Sequence, residues 1–224
     1  MRDNKTSQPA QEYDENIHKT MPFYDLFHNS TLSLIEVVNP NPSRWLDTGG
    51  GTGALIQKAI LAFPSTRFVL ADPATQMLNI AKEKLSKFGA IEYLPLGTES
   101  MDFPDQSFDV ITAILAHHYF DASTRRTATI NCFRMLKRGG VFITFETVSP
   151  RSDKGLQIGI EWWRRAQLRQ GKEAANVEKY LNRYGVEFFP IQLMAHIELL
   201  RDTGFPTVEV FWASGLQVGL YAIK

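Results

Sequence analysis

Short, nearly unbroken apolar runs alternate along this chain with stretches in which apolar residues recur every three or four positions. The runs at residues 44–47 (RWLD), 67–71 (RFVLA), 91–96 (IEYLPL), 108–115 (FDVITAIL) and 141–146 (VFITFE) predict strands. The fourth is apolar almost throughout, as a strand covered on both faces of a parallel sheet must be. Between the runs the period lengthens. Ile56, Ala59, Ile60 and Phe63 share one helical face that Pro64 ends, and Met77, Ala81, Leu85 and Phe88 share another that stops at Gly89. Asp121 and Ser123 offer an N-cap to a third helix. That helix is expected to run to Lys137 and Arg138, whose charges suit a helix C-terminus ahead of Gly139-Gly140. Strands alternating with helices imply a parallel sheet, covered on both faces, with ligands at the carboxyl ends of its strands.

The two ends depart from this alternation. Residues 1–12 are polar, have little to bury and are expected to be a disordered tail. From Tyr13 onward, Ile17, Met21, Tyr24, Phe27 and His28, then Leu32, Ile35 and Val38, predict two short helices around Pro22, spanning 13–39. Tyr24 and His28 lie one turn apart and face the same way, either into the core or as part of a cover over a ligand. After the fifth strand, residues 149–189 hold two helical patterns with no strand between them: Leu156, Ile160 and Trp163, then Ala174, Val177, Leu181 and Tyr184. This is an insertion, expected to lie over the carboxyl edge as a lid. Pro190 is expected to open a further helix with Leu193, Ile197 and Leu200 inward and Gly204 after it. Strands at 207–212 and 217–223 are joined by Ala-Ser-Gly, too short a link for a parallel crossover, so the last strand must run antiparallel. The expected fold class is therefore α/β: a doubly wound, mostly parallel seven-stranded sheet with an antiparallel last strand, in one domain over residues 13–224.

Charge narrows the partners. With 24 basic and 24 acidic residues the chain has no net field to draw in nucleic acid or an acidic membrane. Cys132, the single cysteine, excludes an intramolecular disulfide and falls among apolar helix positions as a buried thiol. No run approaches a membrane span and residues 1–11 lack an apolar signal core, so a cytoplasmic protein acting on a small molecule is expected, with a homodimer left open. In the insertion, Trp162, Trp163, Arg164, Arg165, Arg169 and Lys172 interleave aromatic and basic character. They can seat the helix under a solvated face, bind an anionic or aromatic metabolite, or stack on nucleic acid.

Candidate chemistry concentrates after the first strand, in Asp47-Thr48-Gly49-Gly50-Gly51-Thr52-Gly53. A glycine turn between a strand and a helix N-terminus lets backbone approach a nucleotide closely. Asp72, ending the second strand roughly 20 residues on, suits a ribose. The glycines satisfy a dinucleotide pattern and also the D-x-G-x-G-x-G pattern of enzymes that use S-adenosylmethionine (SAM). Asp47 separates the two, because a carboxylate at the loop attracts SAM's ammonium and sulfonium and opposes a dinucleotide's phosphates.

Together with FPDQSFDVITAILAHHYF at 103–120, VLADPATQML at 69–78, LKRGGVFITFE at 136–146 and the closing hairpin, LDTGGGTG at 46–53 resembles the class I SAM-dependent methyltransferases over nearly all of residues 40–224. The N-terminal helices and the closing GLYAIK are also similar to the carboxy-SAM synthase type, whose product serves tRNA modification. The resemblance implies a Rossmann-like fold, SAM as cofactor and S-adenosylhomocysteine (SAH) as product. It implies that Gly49, Gly50, Gly51 and Gly53, with Thr48, pass close to the cofactor, that Asp47 lies near its ammonium, and that Asp72 accepts the ribose hydroxyls. Pro73 and Met77 would cover the adenine, Tyr24 would close over the cofactor, and Ala116 would line its side through backbone. Where many members carry an acid for the adenine amino group, this chain reads Gly97-Thr98-Glu99-Ser100, and the choice between Thr98 and Glu99 stays open. His117 and His118, ending the fourth strand, are candidate bases or substrate-orienting groups. Glu146 and Trp163 are candidate substrate contacts. A carboxy-SAM-forming or tRNA-modifying enzyme and a non-catalytic SAM-binding protein are the alternatives.

Overall fold

The computed structural model describes residues 9–89 and 91–224. The tail expected to be disordered falls outside these as far as residue 8. Ala10–Glu12 is a short 3-10 turn whose buried Ala10 packs with Ala74 and Met77, so order begins earlier than the polar composition suggests.

Two N-terminal helices, α1 (Tyr13–Thr20) and α2 (Tyr24–Val38), precede the sheet. Strands β1 (Arg44–Thr48), β2 (Arg67–Ala71), β3 (Glu92–Leu94) and β4 (Phe108–Ile114) then alternate with helices α3 (Ala54–Ala62), α4 (Thr75–Lys84) and α5 (Ala122–Met135). β5 (Leu136–Thr147) is followed by α6 (Asp153–Arg169), α7 (Ala174–Leu181), α8 (Leu193–Thr203) and the hairpin β6 (Thr207–Ser214) and β7 (Gln217–Ile223). The seven strands are ordered β3-β2-β1-β4-β5-β7-β6, and β7 alone is antiparallel to its neighbours. The order reverses between β1 and β4, the switch point at which open α/β sheets take ligands.

Side chains alternate across the pleat, so neighbours in sequence enter opposite cores. Leu46, Val69, Ile111 and Phe142 pack with Cys132, Met135, Leu200 and Phe205 on one face. Trp45, Leu70, Val110 and Ile143 pack with Ile56, Ala59, Ala81 and Ile35 on the other. A third cluster roofs the carboxyl edge. It joins Ile17, Met21, Tyr24 and Phe27 of the N-terminal helices to Trp163, Val177, Tyr180 and Phe188 of the insertion.

Two boundaries differ from expectation. α5 ends at Met135, and Lys137 and Arg138 begin β5 rather than closing the helix. Lys137 Nζ instead reaches Asp109 Oδ1 at 2.8 Å, and Gly139 N and Gly140 O pair with Lys224 at 2.7 and 3.0 Å. Pro190 lies ahead of α8, which starts at Leu193, because the chain at Ser149 and Gln192 first forms a parallel bridge.

Candidate active site

The glycine turn leaves β1 with Gly49, Gly51 and Gly53 at φ of 65°, 54° and 77°. A Cβ on Gly49 would stand 2.4 Å from Cβ of Ala116, so the turn lies directly against the end of β4; one on Gly51 would meet nothing within 4 Å. The turn is thus tight on its protein side and open on the other. Asp72, just past β2, is held by two backbone donors: Gly51 N to Oδ2 at 2.9 Å and Ala74 N to Oδ1 at 2.8 Å. A carboxylate oxygen can accept more than one hydrogen bond, so a pair of hydroxyls can share this acceptor with the backbone.

A cleft of about 1240 Å³, counting its open mouth, extends from here. Of the residues singled out from sequence, Gly49, Gly51, Asp72, Pro73, Met77, Thr98, Glu99, Ala116 and His118 line it. The others stand behind or beside it. Asp47 is buried beneath the turn, where Thr112 Oγ1 donates to its Oδ1 at 2.7 Å and where a Cβ on Gly50 would come within 2.7 Å of its Oδ2. Burial pushes its carboxyl up to about 7; the Thr112 hydrogen bond opposes this and the Asp72 charge adds to it. Thr48 shares a 2.7 Å hydroxyl contact with Thr98, and Thr98 also meets His117 Nε2 at 3.1 Å. The Thr98 hydroxyl is therefore engaged within the protein. Asn131, which no sequence signal marked, donates from α5 to the carbonyls of Thr98 and Glu99, both at 3.1 Å. Glu99 Oε2 is buried with no hydrogen-bond partner among the described residues, and Ser100 is exposed.

The adjacent histidines part company. His117 turns under the sheet edge and stacks on Phe142, and burial drives its pKa down to about 4. His118 lines the cleft with Nδ1 facing Glu146 Oε2 at 3.5 Å, both side chains almost wholly buried. Glu146 Oε1 accepts from Thr144 Oγ1 at 2.6 Å. Burial raises the Glu146 carboxyl, but His118, then His196 and His117, outweigh it and hold it at about 2. Leu115, between β4 and this turn, has φ of 55°, a strained left-handed conformation for a side chain of its size. The strain is held in place by Leu115 N to Phe145 O at 2.8 Å, Phe189 N to His118 O at 2.7 Å and Arg125 Nη2 to Phe189 O at 2.6 Å.

Trp163 and Tyr24 are not in the lining. Trp163 is a fully buried core residue donating to Thr20 O at 2.8 Å, and Tyr24 packs edge-on to Phe27 and His28. The far wall is built instead by Tyr13, Ile17, Thr20 and Met21 of α1 and its C-cap, with Leu115, Tyr119, Phe120 and Tyr180. Tyr13, Ile17 and Met21 already shared a helical stripe in the sequence. Tyr119 and Tyr180, 61 positions apart, carried no such signal.

A family profile described as a methyltransferase domain matches residues 46–140, from the middle of β1 into the first part of β5. Over that span the chain is similar to the class I SAM-dependent methyltransferases. The ubiquinone/menaquinone biosynthesis C-methyltransferase UbiE of Ectopseudomonas mendocina is 31% identical over 164 residues, covering 66% of this chain and 63% of that protein, so the chain spans about three fifths of that relative's length. Among solved structures, a SAM-dependent methyltransferase of Thermotoga maritima superimposes with a TM-score of 0.64 at 17% identity over 96% of this chain and 95% of that one. Phosphoethanolamine N-methyltransferase 2 of Haemonchus contortus, solved with SAM, does so with 0.61 at 15% identity, over 88% and 52%. Those two likenesses are of fold. SAM is the cofactor of this methyltransferase family, and the residues present fit it: a glycine turn open at Gly51, a two-oxygen acceptor at Asp72 and an unpartnered buried oxygen on Glu99. Among the described residues no helix is long and apolar enough to cross a membrane.

Proposed function

We infer that this chain transfers a methyl group from SAM to a small-molecule nucleophile that must lose a proton, with His118 as the base. One observation carries the reading: His118 lines the cleft next to Ala116 and is backed by the buried carboxylate of Glu146. A methyl acceptor such as an amine free base needs no such pair, whereas a hydroxyl or an activated carbon acid does.

Asp72 would hold the ribose hydroxyls, Pro73, Ala74 and Met77 the adenine face, and Glu99 the adenine amino group. Asp47 would act through the turn on the ammonium. When bound, SAM supplies an electrophilic methyl group on sulfonium. His118 takes the proton from the acceptor, and Glu146, whose Oε2 lies 3.5 Å from His118 Nδ1, backs the imidazole. His117 works at one remove, by holding Thr98 and the adenine turn. The roof from α1 and the insertion excludes water and aligns the acceptor, an effect that lowers such barriers by roughly 7–11 kcal/mol in well-aligned cases. The C-methyltransferase activity in the UbiE name agrees with a reading in which a phenol or enol is deprotonated before carbon or oxygen attacks. Arg164 and Arg165 pair with Glu161 and Glu178 on the outside, so the basic residues of the insertion favour neither a tRNA nor another nucleic acid.

The test is SAH production from SAM with a panel of phenols, enols and amines. His118→Gln should retain SAH affinity within twofold and lose about 10²–10⁴ in kcat, while His117→Gln should lose less. Equal turnover by wild type and His118→Gln would remove the base from the mechanism.

A further inference from the structure

The insertion's basic residues divide by direction. Arg164 and Arg165 stay outside on glutamates, whereas Lys172 and Arg183 turn inward behind the far wall of the cleft. Lys172 Nζ donates to Thr20 Oγ1 at 3.0 Å and to Gln167 Oε1 at 2.8 Å, and stands 4.7 Å over the Tyr180 ring. All three partners are neutral, and Lys172 forms no ion pair among the described residues. The Arg183 guanidinium lies 5.7 Å from the Tyr180 ring and 6.0 Å from that of Tyr119, and its carboxylate partner Glu187 is more than half exposed. Thr20, Tyr119 and Tyr180 are themselves cleft lining.

The cleft is consequently polarised. Its cofactor end carries the carboxylates of Asp72 and Glu99 with Asp47 beneath, and its roof end carries aromatic rings with two cations directly behind them. A cationic cofactor suits the first end, and an anion suits the second, because a tyrosine hydroxyl with a cation behind it is a strong donor in a poorly screened site. Tyr13, Tyr119, Phe120 and Tyr180 present flat apolar faces suited to a planar molecule.

Resting on the reading of His118 as base, we propose that the acceptor is a planar hydroxy acid: a phenol or enol hydroxyl lies towards His118, and a carboxylate lies at the Tyr119–Tyr180 wall backed by Lys172 and Arg183.

The experiment uses the full chain saturated with SAH and measures binding of the three monohydroxybenzoic acids and their methyl esters by calorimetry, in wild type, Lys172→Gln and Lys172→Arg. At least one acid should bind tenfold or more tightly than its ester. Lys172→Gln should abolish that preference and Lys172→Arg should restore it, with SAH affinity the same in all three proteins. If SAH binds but no acid is preferred over its ester, the proposal is overturned while the methyltransferase reading stands. If Lys172→Gln weakens acid and ester alike, Lys172 is only a tie between α1 and the insertion and the proposal is again overturned. Failure of the wild type to bind SAH would overturn both readings.

Discussion

The indole N–H of Trp163 donates to the carbonyl oxygen of Thr20 at 2.8 Å, joining the insertion to the end of α1 across 143 residues of chain. The acceptor is one of the carbonyls a helix C-terminus leaves without an internal partner. Lys172 adds a second tie to the Thr20 hydroxyl, so α1 and the insertion form one roof. Trp163→Phe keeps most of the buried ring and removes the donor, which should destabilise by about 1–3 kcal/mol, read as a fall in Tm. By hydrogen exchange, α1 and α6–α7 should open together and become protected together on adding SAH, more than α5. Exchange of α1 independent of the insertion would show that the two are separate covers.

Asp72 binds two backbone N–H groups as well as the proposed ribose. Asp72→Ala should cost on the order of 2–4 kcal/mol of SAH affinity by calorimetry, since charged hydrogen bonds are lost and Gly51 N and Ala74 N lose their acceptor. Asp72→Asn, which keeps an oxygen for Ala74, should lose less. Unchanged affinity in the alanine variant would move the ribose elsewhere.

Thr98 and Glu99 separate by what each already touches. Thr98→Ala breaks contacts to Thr48 and His117 and should appear chiefly as about 1–3 kcal/mol of lost stability. Glu99→Gln should leave stability nearly unchanged and weaken SAH by about 1.5–3 kcal/mol, the worth of a hydrogen bond to a charged group. The opposite ranking would return the adenine contact to Thr98.

Asp47 sets a pH dependence whose sign follows from burial. Its carboxyl is raised to about 7, so the folded protein holds a proton that the unfolded chain releases near 4, and the stability this contributes is lost as pH rises between those values. Asp47→Asn, which cannot ionise and still accepts from Thr112, should therefore flatten that fall and raise the Tm of the unliganded protein at pH 8. SAH, through its ammonium, favours the ionised form. Binding to wild type should strengthen as pH rises through about 7 and release a proton below it, seen as a buffer-dependent heat. A buffer-independent heat at pH 6 would place the ammonium away from Asp47.

The order of elements and the meeting of the glycine turn with Asp72 at one end of the cleft are local matters, legible in the sequence. Strand runs, the glycine turn and Asp72 are each specified by neighbours within a few residues, because backbone conformation at Gly49–Gly53 and the end of β2 is set by nearby sterics and hydrogen bonds. The end of α5 differs from its expected place for the converse reason: Lys137 and Gly139 answer to Asp109 and Lys224, which only the folded sheet brings alongside. Periodicity put His117 and His118 at the end of β4 but could not say which one faces the cleft. That depends on the left-handed turn at Leu115 and on Phe189 and Arg125 arriving from distant segments. Trp163, singled out by its chemistry, is core, while Tyr119 and Tyr180 meet at the roof end of the cleft with Lys172 over the Tyr180 ring. Apolar pattern reports that a side chain is buried. Which buried side chains share a wall is decided by packing between elements far apart in the chain, and here that packing belongs to the roof.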